Sequence, residues 1–123
     1  MANRKLTRDE WNPYFDVMTH ALEGNRTEVE VAGLELGDQV EEDWLRLDGI
    51  TFDPKDDALW VYTNVVNHAI AKPREIQVAE RGAGIEAVSV SDAEGHVSIV
   101  RLRAPLMLPP PPRRPAGAEE ARP

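Results

Sequence analysis

The sequence predicts an α+β domain in which an N-terminal helix packs on an antiparallel sheet of five to six strands. Apolar residues near the N-terminus recur with the period of a helix, whereas from residue 26 onward they alternate with the period of a strand. The predicted strands follow one another across short, turn-rich connections, which favours antiparallel pairing. The same order of elements also fits a small Sm-like or SH3-like barrel, and both architectures stay open at this point.

The N-terminal helix is the clearest local signal. Thr7 and Glu10 have the spacing of a capping box, in which the Glu10 side chain reaches back to the Thr7 backbone. The residues that share one helical face are Trp11, Phe15, Met18 and Leu22. Because Pro13 has no backbone N–H, we expect a short first turn and then a helix from about Pro13 to Glu23.

The predicted strands share an alternation of apolar and polar residues, bounded by Gly, Pro or Asp. They are residues 27–31, 50–52, 59–62, 75–80, 85–91 and 96–103. The second and third form a hairpin across a turn at residues 53–57, and the last two form another across residues 92–95. Asp48-Gly49 is typical of a tight turn.

Residues 64–72 show a different spacing. Val65, Val66, Ala69 and Ile70 share one helical face, which predicts a short helix near 64–72. Pro73 would end this helix, because the residue before a proline disfavours helical backbone.

Composition divides the chain near residue 108. Most of the ten prolines lie in residues 109–123, and such a segment has too few apolar residues to form a core. We therefore expect a single domain over residues 1–108 and a proline-rich disordered tail over 109–123. The prolines favour polyproline II backbone, the form that aromatic-lined grooves recognise, although unstructured passenger sequence is the favoured interpretation of this tail.

Charge and cysteine content narrow the classes of function. The chain of 123 residues carries a formal net charge of −8, and its acidic residues concentrate between residues 28 and 57. Nucleic-acid binding relies on a basic surface, so a nucleic-acid partner is disfavoured. The absence of cysteine excludes thiol catalysis and cysteine-ligated zinc and fits a reducing compartment. With no apolar run of membrane-spanning length, we expect a cytoplasmic protein without a membrane partner.

Candidate chemistry centres on one group of residues. His68 lies just before Arg74 and Glu75, and a histidine beside an arginine and a carboxylate could perform acid–base catalysis or bind a small ligand. A surface ion pair at a helix end is the simpler interpretation. Asp53, Asp56 and Asp57 lack the spacing of a calcium loop and indicate a turn. We therefore expect no metal and no cofactor.

A second set of residues indicates a contact surface. Trp60 and Tyr62 alternate with Leu59 and Val61, so if the aliphatic pair faces the core, the aromatic pair faces away from it. The predicted interaction surface comprises Trp44, Trp60, Tyr62, Glu41 and Glu42. Its partner would be a second copy of this chain or a basic protein, and the chain would be a monomer or a homodimer.

Four segments together resemble a known family. They are residues 5–15, 50–57, 68–76 and 101–106, and the resemblance spans about residues 4–108. The family consists of small bacterial proteins that are classified as a domain of unknown function. The resemblance implies a single-domain bacterial protein and transfers no catalytic residue.

These observations favour a non-enzymatic protein-interaction or regulatory module. The alternative is a small-ligand-binding protein or enzyme with its site near His68, Arg74 and Glu75. An Sm-like RNA binder is a third interpretation, which rests on the strand order alone.

Overall fold

The computed structural model describes residues 2–33 and 44–109. Within them the chain forms one helix and eight strands. The order is β1 (Ala2–Leu6), α1 (Arg8–Ala21), β2 (Glu28–Gly33), β3 (Leu45–Asp53), β4 (Ala58–Thr63), β5 (Asn67–Ala71), β6 (Pro73–Arg81), β7 (Gly84–Asp92) and β8 (Val97–Met107).

All eight strands belong to one antiparallel sheet, in the order β1-β6-β7-β8-β2-β3-β4-β5. The α+β class is therefore confirmed, but the predicted count of five to six strands is too low because β1 and β5 were not recognised. The outermost strands β1 and β5 do not pair with each other, so the described strands form no closed ring. A single residue, Lys72, joins β5 to β6 with a left-handed φ of 52°.

The core lies between α1 and the sheet. The predicted helical face is buried as a whole, with relative exposures of 0–9% for Trp11, Phe15, Met18 and Leu22. The Trp11 and Phe52 rings meet edge to face, with centroids 5.1 Å apart. Each large apolar side chain removed from water in this way contributes about 1.5–3 kcal/mol.

A threonine connects the helix to the unpaired edge of β3. This strand pairs with β2 only at its start, through Leu45 and Arg46. Farther along, the Thr19 hydroxyl donates to the Ile50 carbonyl oxygen at 2.8 Å and accepts from the Ile50 N–H at 3.1 Å. The helix therefore satisfies backbone groups that a neighbouring strand would otherwise bind.

The predicted helix start near Pro13 is wrong, because α1 runs without interruption from Arg8 to Ala21. Pro13 deprives the Asp9 carbonyl of its usual helical donor. Both residues are exposed, so water can replace that hydrogen bond. At the start of the helix, the Thr7 N–H donates to the Glu10 carboxylate at 2.8 Å, as the capping box predicts.

The predicted helix over 64–72 is also wrong, because this segment forms a turn followed by the strand β5. Of the four residues on the supposed helical face, only Ile70 is buried. Pairing with β4 stabilises the strand and outweighs the local helical spacing. Asp48-Gly49 is not a turn either: it lies inside β3, where the register shifts between Leu47 and Gly49.

The other predicted strands and both predicted hairpins are present. Ile76 and Val78 of β6 face the core and are fully buried, as their alternation indicates. Gly82 and Gly95 adopt left-handed backbone at the turns before β7 and β8, with φ of 60° and 88°. The predicted disordered tail lies outside the described residues from residue 110 onward.

Candidate interaction site

The β4–β5 hairpin displays two aromatic rings on the face of the sheet that points away from the core. The Trp60 and Tyr62 rings stack with centroids 6.0 Å apart and an interplanar angle of 10°. Leu59 and Val61 between and beside them are completely buried, so the alternation of β4 places both rings outward. Both rings are half-buried, and each retains exposed surface.

Small side chains surround the stacked rings. Trp60 lies opposite Thr51 on β3 and Ala69 on β5, and Tyr62 lies opposite Gly49 and Asn67. The Tyr62 ring extends over Gly49, with its Cδ2 3.8 Å from the position of an added Cβ. Neighbours of this size do not cover the rings, so a partner can reach them.

The turn after β4 adds exposed apolar surface. Val65 and Val66 are 69% and 51% exposed. The buried Thr63 hydroxyl holds this turn, because it accepts from the Val65 and Val66 N–H groups at 3.2 and 2.9 Å and donates to the Val66 carbonyl oxygen at 2.7 Å. This hydroxyl uses all of its donor and acceptor capacity, which fixes the two valines at the tip of the hairpin.

Neither β4 nor β5 contains a charged residue. The nearest acidic group in sequence, Asp57, is engaged by Arg74 at 3.2 Å and by Arg8 at 3.7 Å. We name the surface formed by Trp60, Tyr62, Val65 and Val66 the hairpin surface. Its chemistry suits an apolar contact rather than an ionic ligand.

Comparison with known proteins identifies the family. The model of a family of unknown function, DUF5335, matches residues 2–111. The chain belongs to this family. It is also 34% identical over 110 residues to an uncharacterized protein of Aquifex aeolicus (strain VF5), a match that covers 89% of this chain and 99% of that protein. No solved structure matches the chain.

The match confirms the family resemblance that the four sequence segments indicate. It extends over nearly the whole chain and ends at residue 111, before most of the proline-rich segment. The family description carries no activity, so any function of this chain has to be inferred from its own side chains.

Two of the predicted contact residues lie together and one lies apart. Trp44 packs against the Arg103 guanidinium, whose carbon is 5.8 Å from the indole centroid. No ring contact joins Trp44 to Trp60 or Tyr62 within residues 2–33 and 44–109. Glu41 and Glu42 lie outside the described residues.

Arg74 and Glu75 are engaged with different partners, and His68 lies on a different strand. The Arg74 guanidinium binds Asp57, whereas the Glu75 carboxylate accepts from the Gln77 amide at 2.6 Å and lies 3.7 Å from the Lys5 ammonium. His68 is on β5 opposite Val61 and not on a helix. In the part of the chain that the structure describes, no hydrogen bond or ion pair links any two of the three. A site that combines them stays a prediction.

Three surface clefts have volumes of about 410–530 Å³, and none is lined by those three residues. The smallest lies beside α1, where the Tyr14 hydroxyl donates to the Glu80 carboxylate at 2.9 Å. Burial raises the pKa of the Tyr14 phenol above its usual range, and the bond to Glu80 raises it further. Tyr14 therefore stays protonated at neutral pH and acts as a hydrogen-bond donor.

Acidic and histidine side chains are not clustered for metal binding in residues 2–33 and 44–109. No group of three or more His, Asp or Glu side chains there is arranged to hold a metal ion. The Asp53 carboxylate instead accepts from the Lys55 N–H at 2.9 Å, as the predicted turn requires. No described helix is long and apolar enough to cross a membrane.

Val65 and Val66 are the residues of the hairpin surface that sequence reasoning assigned wrongly. The helical spacing of the two valines with Ala69 and Ile70 concealed the turn. The signal that could have found it is Thr63-Asn64, because threonine and asparagine side chains bind nearby backbone groups in turns.

Proposed function

We propose that this chain is a non-enzymatic interaction module that binds a protein partner through the hairpin surface. The observation that carries the proposal is the stacked pair of Trp60 and Tyr62, held outward on a hairpin with no charged residue. Aromatic side chains provide a large contact area, lose little conformational entropy on binding and are enriched in protein interfaces.

The position of the clefts supports a protein partner over a small ligand. Small-molecule sites are concave, and none of the three clefts is lined by a residue of the hairpin surface. The three clefts lie elsewhere, along α1, β2 and the end of β8. The net charge of −8 favours a neutral or basic partner over a nucleic acid.

The proposal is tested by retention of a partner from a native lysate on the immobilised full chain. The matched variants are Trp60→Ala with Tyr62→Ala, which removes both rings from the hairpin surface, and Trp44→Ala, which removes an aromatic ring elsewhere. We expect one protein to be retained equally by the wild type and by Trp44→Ala. The double variant should retain it at least about 30-fold less, the loss expected for truncation of a central aromatic contact.

Circular dichroism and thermal unfolding of each variant establish that the fold persists. Retention by the folded double variant at the wild-type level would contradict the proposal. Loss of retention by Trp44→Ala alone would place the binding surface on the side of Arg103 instead.

A further inference from the structure

The strand β5 has one edge bound to β4 and one edge without a neighbouring strand. Two hydrogen bonds show which residues of β5 direct their backbone groups toward β4 and which direct them away from it. The Thr63 N–H donates to the Val66 carbonyl oxygen at 3.0 Å, and the Lys72 N–H donates to the Asp57 carbonyl oxygen at 2.7 Å. Antiparallel pairs alternate between bonded and non-bonded positions. His68 and Ile70 therefore bind β4, and the backbone groups of Asn67, Ala69 and Ala71 point away from it.

The side of β3 opposite β4 supports this assignment. Ile50 of β3 pairs with Val61 of β4. Because bonded and non-bonded pairs alternate along β4, the backbone groups of Ile50 point away from β4. Those are the groups that the Thr19 hydroxyl binds.

No comparable group protects the free edge of β5. Between residues 2–33 and 44–109, no turn or loop hydrogen bond reaches the backbone of Asn67, Ala69 or Ala71. The other outer strand, β1, carries Arg4 and Lys5, and charged residues of this kind discourage pairing at a sheet edge. An uncharged edge with unpaired backbone groups is suited to accept a further strand.

We propose that this edge pairs two copies of the chain, with β5 antiparallel to β5 of the second copy about Ala69. The three outward residues are spaced symmetrically about Ala69, so each Asn67 meets an Ala71 and the two Ala69 residues meet each other. This register forms about six backbone hydrogen bonds. It is also the symmetric, self-complementary type of contact that closes a two-fold dimer.

The side chains along this register are compatible with self-pairing. The side chains on the outer face are those of Asn67, Ala69 and Ala71. On the other face, His68 of one copy lies opposite Ile70 of the other copy. Each copy carries a net charge of −8, yet no charged residue lies within β5, so the two strands meet without direct repulsion. At the ends, Val66 of one copy lies opposite Lys72 of the other, whose long aliphatic stem can cover it.

Self-pairing would place the two ring stacks on one continuous sheet, separated by three strand spacings, or about 14 Å. The inference is independent of the proposed function, because the edge uses backbone groups and leaves Trp60 and Tyr62 exposed. If both hold, the dimer presents a shared groove with small residues between two aromatic walls.

Sedimentation equilibrium of the full chain tests the proposal, together with two variants. Ala69→Pro removes the N–H at the centre of the proposed pairing while leaving the bonds to β4 intact, and proline is tolerated where an edge N–H faces solvent. Ile99→Lys places a charge on the outer face of an interior strand, where Ile99 is 39% exposed. As concentration rises, the apparent mass of the wild type and of Ile99→Lys should increase from the monomer mass of 13.7 kDa to twice that value. Ala69→Pro should remain monomeric.

Amide hydrogen exchange supplies a readout that requires no variant. In the wild type, exchange at Asn67, Ala69 and Ala71 should slow at least about 10-fold between dilute and concentrated samples, whereas exchange at His68 and Ile70 should not change. A wild type that stays monomeric up to millimolar concentration overturns the proposal. So does a dimer that persists in Ala69→Pro, or one that Ile99→Lys dissociates, because the contact would then lie on another face.

Discussion

The contact between α1 and β3 makes a quantitative prediction about stability. Thr19→Val replaces the hydroxyl by a methyl group of nearly the same size and leaves helix propensity almost unchanged. The Ile50 N–H and carbonyl then both lose their partner, at a residue that is completely buried. No strand lies beside β3 at this point to replace the lost bonds, since β2 pairs only with the start of β3.

The expected loss follows from these two hydrogen bonds. Each contributes about 0.5–1.5 kcal/mol, and a buried group left unpaired adds a desolvation cost. We expect the free energy of unfolding to fall by about 2 kcal/mol, or about 30-fold in the folding equilibrium. Urea unfolding monitored by tryptophan fluorescence measures this change, with the dependence on urea concentration unaltered.

Thr19→Ser is the matched control. It keeps the hydroxyl and removes only a methyl group, so we expect a loss below about 1 kcal/mol. If Thr19→Val is no less stable than Thr19→Ser, the hydroxyl does not stabilise the unpaired edge of β3, and this account of the helix–sheet contact is wrong.

Three other predictions concern stability. Gly84→Ala should destabilise by about 1–3 kcal/mol, because a Cβ there would lie 2.9 Å from the Pro105 Cβ; urea unfolding at the wild-type level would contradict this. Phe15→Ala should lower the free energy of unfolding by about 3–5 kcal/mol, because it leaves a cavity at a fully buried site. An unfolding midpoint equal to that of the wild type in calorimetry would contradict this. The bond from the Thr7 N–H holds the pKa of Glu10 below its usual value, so the stability it gives is present above about pH 4.5 and lost as pH falls through the lowered pKa. The difference between wild type and Glu10→Gln should therefore shrink as pH falls below about 4.5, and a difference that stays constant from neutral to acidic pH would refute it.

The sequence predicted those elements whose pattern and packing agree. Phe15 and Met18 recur at helical spacing and are buried, and Ile76 and Val78 alternate and face the core. For these segments the periodicity reports burial directly, because each element turns one face to the core.

The elements that were missed are those whose structure depends on a neighbouring strand. Among residues 3–6 of β1, Leu6 is the only apolar residue and is buried, so these residues show no alternation that could identify the strand. β5 has helical spacing in its apolar residues, but its pairing with β4 prevails. The pairing of β1 with β6 joins residues far apart in the chain, and the pairing of β5 with β4 depends on the turn between them, so the apolar spacing of each strand alone does not reveal it.

The candidate site was predictable to the same extent. The outward direction of Trp60 and Tyr62 follows from alternation with two buried aliphatic residues. Their stacking, the separate location of Trp44 and the exposure of Val65 depend on the hairpin and its register. Proximity of His68, Arg74 and Glu75 in sequence did not translate into mutual contact, because Arg74 and Glu75 are neighbours on β6 that point to opposite faces and His68 lies on another strand, β5.

Photo-crosslinking in cells from a residue beside the rings tests most directly whether the hairpin surface binds a protein. Thr51 is exposed and lies opposite Trp60, so a photoreactive phenylalanine there leaves the hairpin surface intact. The same substitution at Ile99 samples the exposed face of an interior strand. We expect a discrete protein adduct from position 51 and none from position 99. An adduct from position 99 alone would contradict it and move the binding surface to the outer face of β8.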